Sequence, residues 1–431
     1  ILNWSTLPRE AKVAKLLEGE RIFEMPVEKV VAFLRELLEG GRTLEFLRIL
    51  RHFSKGLFVP AMARRASVAG AFEQVADWVE IPGMPVPAMD ELMEILGRAW
   101  GGEKDPNVHQ AISRGVEHVI WFWVQGGNPA RAHTLYTNLQ DQVTEMSPPA
   151  PWKDRATIDL LGRLGSPERM GLLLNQLFHT EKLEATSKIY PYLRMLGAAG
   201  AQGLVHRLSE ETDRGRRGRL ADALKSFGHI AEGPLLESLM APEWFVVRNA
   251  LNVLGEIADS ERIPDLLPSL GHEDLRVVAA AVRAIGRMGG RQAESALVPM
   301  LAHRDTDTLL EVIFALGELK SKNAVPGLIE LLQSGGSRPK PAQAKILEKA
   351  IETLGLLGST SAIPFLEELL ARRRSFFRDS RQPLNLRVAA LKALAAFNTE
   401  EAQLSIERAI AAEPKGSERD ALLEALSQTL V

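Results

Sequence analysis

The stretch that decides the fold is Trp244–Ile257, with the sequence WFVVRNALNVLGEI, and a related stretch follows at Glu273–Gly286, EDLRVVAAAVRAIG. In both, apolar residues recur every three or four positions, which is the spacing of one face of an α-helix. Each stretch has a glycine near its end and a third such glycine follows, so that Gly255, Gly286 and Gly317 are equally spaced, thirty-one positions apart. Self-similarity at a fixed period indicates a repeat architecture.

The repeating unit is a pair of helices. After each of these helices a short polar joint leads to another apolar segment. These segments are Ile263–Leu270, Glu294–Leu301 and Ala324–Leu332. The pattern continues to Gly355 and Ala395 with longer spacings, which implies insertions of about seven and nine residues. A pair this short cannot bury its own apolar face, so neighbouring pairs must stack into one core. We therefore expect the glycines to lie where one repeat packs closely on the next.

These segments resemble HEAT repeats, in particular the short-period repeats related to bacterial phycobilisome lyases. Trp244–Ile257 and Glu273–Gly286 are similar to the second helix of such a repeat, and Ala324–Leu332 and Ala362–Leu370 to the first helix. The resemblance implies an all-α fold, an α-solenoid superhelix of stacked antiparallel helix pairs. It is clear over 199–431, where we count about seven units, and weaker over 148–198.

Residues 1–147 are helical in pattern but lack the period of the later part. We predict an irregular helical N-terminal module at 1–147 and a repeat solenoid at 148–431, separated by the proline-rich Met146–Trp152. The alternative is that the N-terminal part consists of divergent repeats.

Composition excludes several classes of protein. The chain has 431 residues, a net charge of −3 and no cysteine, so a basic nucleic-acid coat, disulfides and thiolate metal sites are disfavoured. The longest apolar run, His118–Val124, is too short to span a bilayer. Because the chain begins at Ile1, we interpret it as a piece of a longer protein. The absence of cysteine fits a reducing compartment, so we expect a cytoplasmic protein, and the resemblance to the bacterial repeat subtype implies a bacterial one. We predict no cofactor, no metal and no small-molecule ligand.

Three families of enzymes have HEAT-like folds, and each requires a feature that can be sought in this sequence. Di-iron deoxyhypusine hydroxylases of this fold use repeated His-Glu pairs, whereas here His272-Glu273 stands alone and fits an exposed turn. HEAT-like DNA glycosylases need a basic inner face, and bilin lyases a tetrapyrrole pocket. The expected inner positions have mixed charge: Asp222, Asn252, Arg283, Phe314, Glu352 and Lys392.

Two further motifs suggest binding. His118, Trp121 and Trp123 could form a ligand box, but large aromatics in an apolar helix more often fill the core. The two insertions, Gln333–Ala342 and Ala371–Pro383, fall at equivalent turns of consecutive repeats and should therefore be neighbours. Between 333 and 387 the sequence has ten Lys and Arg against five Asp and Glu.

The hypothesis that follows is a non-catalytic protein-interaction scaffold. Its partner-binding residues would be Arg338, Lys340, Arg372, Arg373, Arg374, Phe376, Phe377 and Arg378. Arginines and aromatics are enriched in binding hot spots, and the charge favours an acidic protein partner over nucleic acid or an acidic membrane surface. The alternatives are a loop anchored to the solenoid, or an enzyme of the DNA-glycosylase or bilin-lyase type.

Overall fold

The structure is a computed structural model that describes residues 4–78, 84–146, 151–335, 339–371, 373–375, 378–380 and 382–429. The described residues are almost entirely helical. The α-helices are α1 (Arg9–Leu17), α2 (Val27–Glu39), α3 (Thr43–Ser54), α4 (Met62–Asp77), α5 (Val86–Gly102), α6 (Pro106–Gln125), α7 (Pro129–Met146), α8 (Pro151–Leu164), α9 (Pro167–His179), α10 (Lys182–Met195), α11 (Gly197–Glu210), α12 (Arg214–Lys225), α13 (Glu232–Glu237), α14 (Trp244–Ile257), α15 (Ile263–Leu266), α16 (Leu275–Met288), α17 (Gly290–Leu297), α18 (Thr306–Glu318), α19 (Val325–Ser334), α20 (Pro341–Leu357), α21 (Ile363–Leu370), α22 (Leu384–Phe397), α23 (Glu400–Ala412) and α24 (Ser417–Thr429). Short 3-10 segments lie at Trp4–Thr6, Arg21–Glu24, Lys55–Phe58, Gly228–Ala231, Ser238–Met240, Ser260–Arg262, Leu267–Gly271, Val298–Ala302, Lys322–Ala324 and Thr360–Ala362. In the part of the chain that is described, no helix is long and apolar enough to cross a membrane.

The chain divides into two compact units. Unit 1 comprises Ile1–Arg207 and Glu211–Phe227, and unit 2 comprises Leu208–Glu210 and Gly228–Val431. The predicted boundary at 147 and 148 falls inside unit 1, beside residues 147–150, which lie outside the described part. That boundary stays a prediction about the sequence.

Unit 2 is a stack of helix pairs. The first helices are α13, α15, α17, α19, α21 and α23, and each is followed by its partner, α14, α16, α18, α20, α22 or α24. The second helices pack side by side in chain order, from α14 on α16 to α22 on α24. This confirms the predicted all-α fold of stacked antiparallel helix pairs. Several first helices are short and continue as 3-10 segments, because Pro268 and Pro299 lack the backbone N–H that an α-helix needs there.

The aligned glycines lie between successive second helices. A Cβ atom added to Gly255 would be 2.6 Å from the Cα of Ala284, and one added to Gly286 would be 2.9 Å from the Cβ of Ala315. The corresponding contacts further along join Gly317 to Thr353 and Gly355 to Ala393. Real Cβ atoms do not approach other atoms as closely as 2.6 Å, so a side chain at the tightest of these positions would push the helices apart. The expectation that glycine permits close repeat packing is thereby confirmed.

The two insertions leave these contacts unchanged. Gly255 and Gly286 each meet a partner at the same separation along the sequence, whereas the partners of Gly317 and Gly355 are further along the chain by seven and nine additional positions. These differences equal the insertions read from the sequence. The extra residues are therefore accommodated in the turns, outside the packing between second helices.

Unit 1 has the same alternation without the period. Helices α2, α4 and α6 pack in one row, and α1, α3, α5 and α7 pack in another. Large side chains fill its core. Trp100, Tyr192, Phe46, Phe53 and Phe72 are the largest fully buried side chains among the described residues, and all five belong to unit 1. These aromatic residues are unevenly spaced along the chain, so they do not mark a repeat in the sequence.

Strands were not expected, yet unit 2 contains a short hairpin between α21 and α22. Strand β1 (Arg373–Ser375) pairs antiparallel with β2 (Arg378–Ser380). In this register Arg374 lies opposite Asp379. Each strand has only three residues, which is too few to show an alternation of apolar and polar positions in the sequence.

Candidate functional site

The turns between first and second helices of unit 2 lie along one edge, because successive second helices run side by side in register. We call this edge the turn edge. Its described turn residues are 241–243, 272–274, 303–305, 335, 339–340, 371, 382–383 and 413–416, together with the strands β1 and β2. The second helices begin there, and their first backbone N–H groups have no acceptor within the helix.

Two of these turns share the same chemistry. In one, the backbone N–H of Asp274 donates to Nδ1 of His272, with 2.9 Å between the nitrogens, and in the next Asp305 does so to His303 at 3.2 Å. Asp305 then caps α18 by accepting from the backbone N–H of Thr308 at 2.8 Å, which lowers the pKa of Asp305. The pair His272-Glu273 is thus one copy of a repeated turn. Among the described residues no group of three or more His, Asp or Glu could hold a metal ion.

An aromatic ring stacks between arginines at the start of α14 and α16. The guanidinium carbon of Arg276 lies 3.3 Å from the centre of the Trp244 ring, and that of Arg248 lies 4.9 Å away. Asp274 accepts from the guanidinium of Arg276 at 3.0 and 2.7 Å, and these hydrogen bonds lower the pKa of Asp274 to about 2. The charge of Arg276 is therefore neutralised, and the cluster joins two repeats.

The hypothesised binding residues lie, by sequence, in the two long turns, one immediately before α20 and the other immediately before α22. Lys340 is exposed and immediately precedes α20. Arg373 and Arg374 lie in β1, and Arg378 lies in β2. The remaining members, which lie outside the described residues, are Arg338, Arg372, Phe376 and Phe377. The structure thus gives the backbone of the hairpin, and the binding role of these residues stays a prediction.

Among the described side chains of this region, two basic residues are used within the fold. Arg387 is 3% exposed and forms ion pairs with Glu413 and, at 3.0 Å, with Glu418. Lys349 forms an ion pair with Glu352 at 3.1 Å. The formal charge of the stretch from 333 to 387, ten basic against five acidic residues, therefore includes basic residues that stabilise the fold.

The arginine-rich segment Arg214–Arg219 in unit 1 has a structural role that its sequence does not reveal. Arg219 donates from Nη1 to the backbone carbonyls of Leu177, at 2.7 Å, and of Thr180, where α9 ends. Arg217 donates to the carbonyls of two residues in the turn that precedes α12. Arginine side chains near a helix carboxyl end satisfy carbonyls that have no partner within the helix.

The exposed face of the second helices has mixed charge, as the sequence positions indicated. Arg283 on α16 pairs with Glu311 on α18 at 2.8 Å, and Phe314 is 51% exposed. The ammonium group of Lys349 lies 5.8 Å from the centre of the Phe314 ring. Alternating, internally paired charges do not form a continuous track for a phosphate backbone.

The motif around His118 has two environments. Trp121 is 8% exposed and packs under the guanidinium of Arg169, which lies 5.1 Å from its ring, whereas the Trp123 ring packs under another arginine on α7. His118 pairs with Asp77 at 3.4 Å and lines a cleft of about 210 Å³. The lining residues are Asp77, His118, Trp121, Gln125, Glu168, Arg169 and Leu172.

A buried polar cluster in unit 1 did not stand out in the sequence. Trp100 donates from Nε1 to Ser113 Oγ at 2.7 Å, and that hydroxyl lies 3.3 Å from His109 Nδ1. Lys153 is 6% exposed and donates to the carbonyl of Gly101 at 2.7 Å. Burial, and then the nearby Lys153 ammonium, lower the pKa of His109 to about 4. The only signal in the sequence was a histidine and a serine four residues apart on an apolar helix face.

Comparison with known proteins bears on the fold. The family model for HEAT repeats matches residues 233–310 and 294–382. A comparison with curated protein sequences gives no match. Solved structures with similar chain traces include Kap121p, at 12% identity and a TM-score of 0.40, and importin beta, at 11% identity and a TM-score of 0.40.

The alignments with Kap121p and importin beta cover 98% of this chain but only 53% and 59% of those chains, so this chain spans little more than half their length. An engineered protein aligns at 15% identity with a TM-score of 0.31, covering 88% of this chain and 98% of its own. Identities and scores this low carry no inference about function. The family match, together with the stacked helix pairs and their glycine contacts, shows that residues 233–382 belong to the HEAT-repeat family.

Proposed function

We propose that this chain is a non-catalytic helical-repeat scaffold that binds an acidic protein partner at the turn edge of unit 2. The observation that carries the proposal is the charge of the last two long turns. The stretch from 333 to 387 has ten Lys and Arg against five Asp and Glu, a formal excess of five positive charges in a chain whose net charge is −3.

The fold supports this location. The insertions lie outside the packing between second helices, so the turns vary in length without disturbing the core. Rigid scaffolds commonly present recognition residues on such loops. Arginines at the turn edge would steer an acidic partner over the screening length of ~8 Å at physiological ionic strength, and Phe376 and Phe377 would add apolar contact that does not depend on salt.

The test uses the full chain and a fluorescent acidic peptide that also contains phenylalanine. Replacing Arg372, Arg373 and Arg374 with serine should weaken binding about tenfold or more at low salt and much less at high salt. Replacing Phe376 and Phe377 with serine should weaken binding equally at both salt concentrations. Melting temperatures should stay unchanged for both variants.

The matched control removes three exposed basic residues of unit 1, Lys29, Arg42 and Arg48, by the same change to serine. If this control weakens binding as much as the triple change in the hairpin does, attraction is due to net charge and the proposed site is wrong. Preferential binding of single-stranded DNA or of acidic lipid vesicles, lost in the same variants, would replace the protein partner with that ligand. A large drop in melting temperature for the phenylalanine variant alone would make the loop structural.

We also propose that the chain is a module of a larger bacterial protein and that it works in the cytoplasm. Its resemblance to short-period bacterial repeats and its lack of cysteine support these two points. Fractionation of cells that express the intact protein tests the second of them.

A further inference from the structure

Unit 1 contains a cavity of about 280 Å³ that is separate from the turn edge of unit 2. It lies where the 3-10 segment Lys55–Phe58 meets α4 and the end of α5. The lining residues are Leu57, Phe58, Val59, Arg65, Ala99, Gly102, Glu103 and Lys104.

The polar groups in the cavity wall are satisfied by one another. Glu103, which is 5% exposed, accepts from Arg65 Nε at 2.9 Å and Nη2 at 3.2 Å, and from two backbone N–H groups at 2.8 Å. Arg65 also donates from Nη1 to the carbonyls of Val59 and Pro60. Because this ion pair has its hydrogen-bond partners within the chain, it holds the walls in place and does not need a polar ligand.

The remaining walls are apolar and one of them is open to solvent. Leu57 and Ala99 are 4% and 3% exposed, whereas the neighbouring Phe58 is 53% exposed. An apolar side chain that entered the cavity would make dispersion contacts with Leu57 and Ala99 and would cover the exposed Phe58 ring.

The free charge at the rim is positive. Lys104 is exposed, and the described part of the chain gives its ammonium group no ion pair, whereas Glu103 beside it is neutralised by Arg65. The guanidinium of Arg98 lies 5.9 Å from the centre of the Phe58 ring, and its nearest carboxylate oxygen among the described residues is that of Glu94 at 3.8 Å. A ligand whose apolar group enters the cavity would therefore meet cations at the rim.

We propose that this cavity is a second docking site, which takes a large apolar side chain of a protein partner next to a carboxylate. The site lies in unit 1 and does not depend on the basic turns of unit 2. Aromatic or aliphatic anchors in a pocket with a charged rim are the usual centres of protein interfaces. An acidic partner residue beside the anchor would pair with Lys104.

The experiment uses the full chain with ¹³C-labelled leucine and valine methyl groups, observed by NMR during titration. The probes are N-acetyl-phenylalanine, which has a ring and a carboxylate, and its uncharged amide. At about 0.3 kcal/mol per heavy atom, a ligand of about fifteen heavy atoms binds with a Kd of roughly 1 mM. We expect the methyl signals of Leu57 and Val59 to shift with both probes, and the carboxylate probe to bind more tightly, by about two- to fivefold, at low salt.

Two variants distinguish the contributions. Lys104→Gln, an exposed change, should remove the preference for the carboxylate and leave the amide unaffected. Ala99→Leu should fill the cavity and abolish the shifts caused by both probes, with Ala411→Leu, an exposed alanine of unit 2, as the matched control. Melting curves show whether Ala99→Leu remains folded.

Three outcomes would overturn the proposal. The first is that neither probe shifts the two methyl signals. The second is that both probes bind the wild-type chain equally at low salt. The third is that the shifts persist in a folded Ala99→Leu variant. Because both proposed sites can be changed separately, failure here leaves the turn-edge proposal untouched.

Discussion

The two units differ in the side chains that lie between their helices. In unit 2, small residues meet between successive second helices, as at Gly286 and Ala315. In unit 1, large aromatic side chains fill the core, as where Phe53 on α3 stacks against Phe72 on α4 with ring centres 6.1 Å apart. The small contacts recur with the period of the sequence, whereas the buried aromatic residues of unit 1 are unevenly spaced along the chain.

The largest expected effect comes from the buried ion pair between Arg387 and Glu413 at the end of unit 2. Arg387→Ala would leave Glu413, which is 5% exposed, without its main partner. Removing one member of a buried ion pair costs about 3–5 kcal/mol. We expect a loss of stability in that range, measured by denaturant unfolding.

The matched control is Arg408→Ala, because Arg408 is 69% exposed and lies 3.5 Å from Glu367. An exposed pair contributes about 0–1 kcal/mol. Equal losses for the two variants would show that the last repeat does not depend on the Arg387 ion pairs.

A pH titration probes the polar core of unit 1. His109 has a pKa lowered from its ordinary 6.5 to about 4, so the unfolded chain binds a proton more readily than the folded one between these values. The stability that neutral His109 contributes is thus complete above pH 6.5 and is lost as the pH falls toward 4, by roughly 3 kcal/mol in total. We expect His109→Gln to lack this dependence when unfolding is measured across that range.

The contrast in unit 2 is His229, which is exposed and whose pKa is raised by its hydrogen bond with Glu232. Its contribution has the opposite sign, since it is present at low pH and lost as the pH rises through the raised pKa. If His109→Gln retained the full acid sensitivity of the wild type, the buried imidazole would not be its source.

Overpacking tests the small contacts of unit 2. Gly286→Leu would force a branched side chain against Ala315, where even a Cβ atom comes within 2.9 Å. Overpacking costs about 1–3 kcal/mol, and hydrogen exchange should increase in both adjoining repeats. In the control, Gly233→Leu, a Cβ atom would meet nothing within 4 Å, and its melting temperature should stay within a degree or two of the wild type's. An unchanged melting temperature for Gly286→Leu would contradict the repeat register.

The smallest expected effect isolates a single contact. Gly286→Ala should destabilise the chain slightly, and Ala315→Gly in the same chain should relieve the crowding. Residues in direct contact show coupling energies of about 0.5–3 kcal/mol, and we expect the lower end here. Strictly additive free energies of unfolding would mean that the two helices are not as close as the structure has them.

Repeat packing could be predicted from the sequence because it depends on local periodicity and on one small residue per repeat. The helix pairs and the glycine contacts followed from these. The role of Arg387 could not, because its partners lie 26 and 31 residues further along the chain and a count of charges does not reveal burial. Likewise the sequence does not reveal that Arg217 and Arg219 donate to backbone carbonyls within unit 1.

The candidate site shows the same limit. The sequence located the two long turns and their charge, but strands of only three residues show no pattern that would predict β1 and β2. The cavity beside Phe58 joins Leu57–Arg65 to Ala99–Lys104, segments that are distant in the sequence. The His272 turn is an intermediate case. A histidine two residues before an aspartate recurs one repeat later, at His303. The repeat in the sequence therefore indicates that the two turns share one structure, in which the aspartate N–H donates to the histidine.

The contacts between second helices are the same across turns of different length, and this determines which insertions the protein can tolerate. Because Gly317 and Gly355 meet their partners despite seven and nine additional residues, the length of a turn and the packing of the helices behave as independent variables. Foreign loops could be grafted between α19 and α20, or between α21 and α22, without redesign of the core. A family of chains with one scaffold and many exchanged loops could thus acquire new ligands by insertion alone, while its folding free energy stays nearly the same.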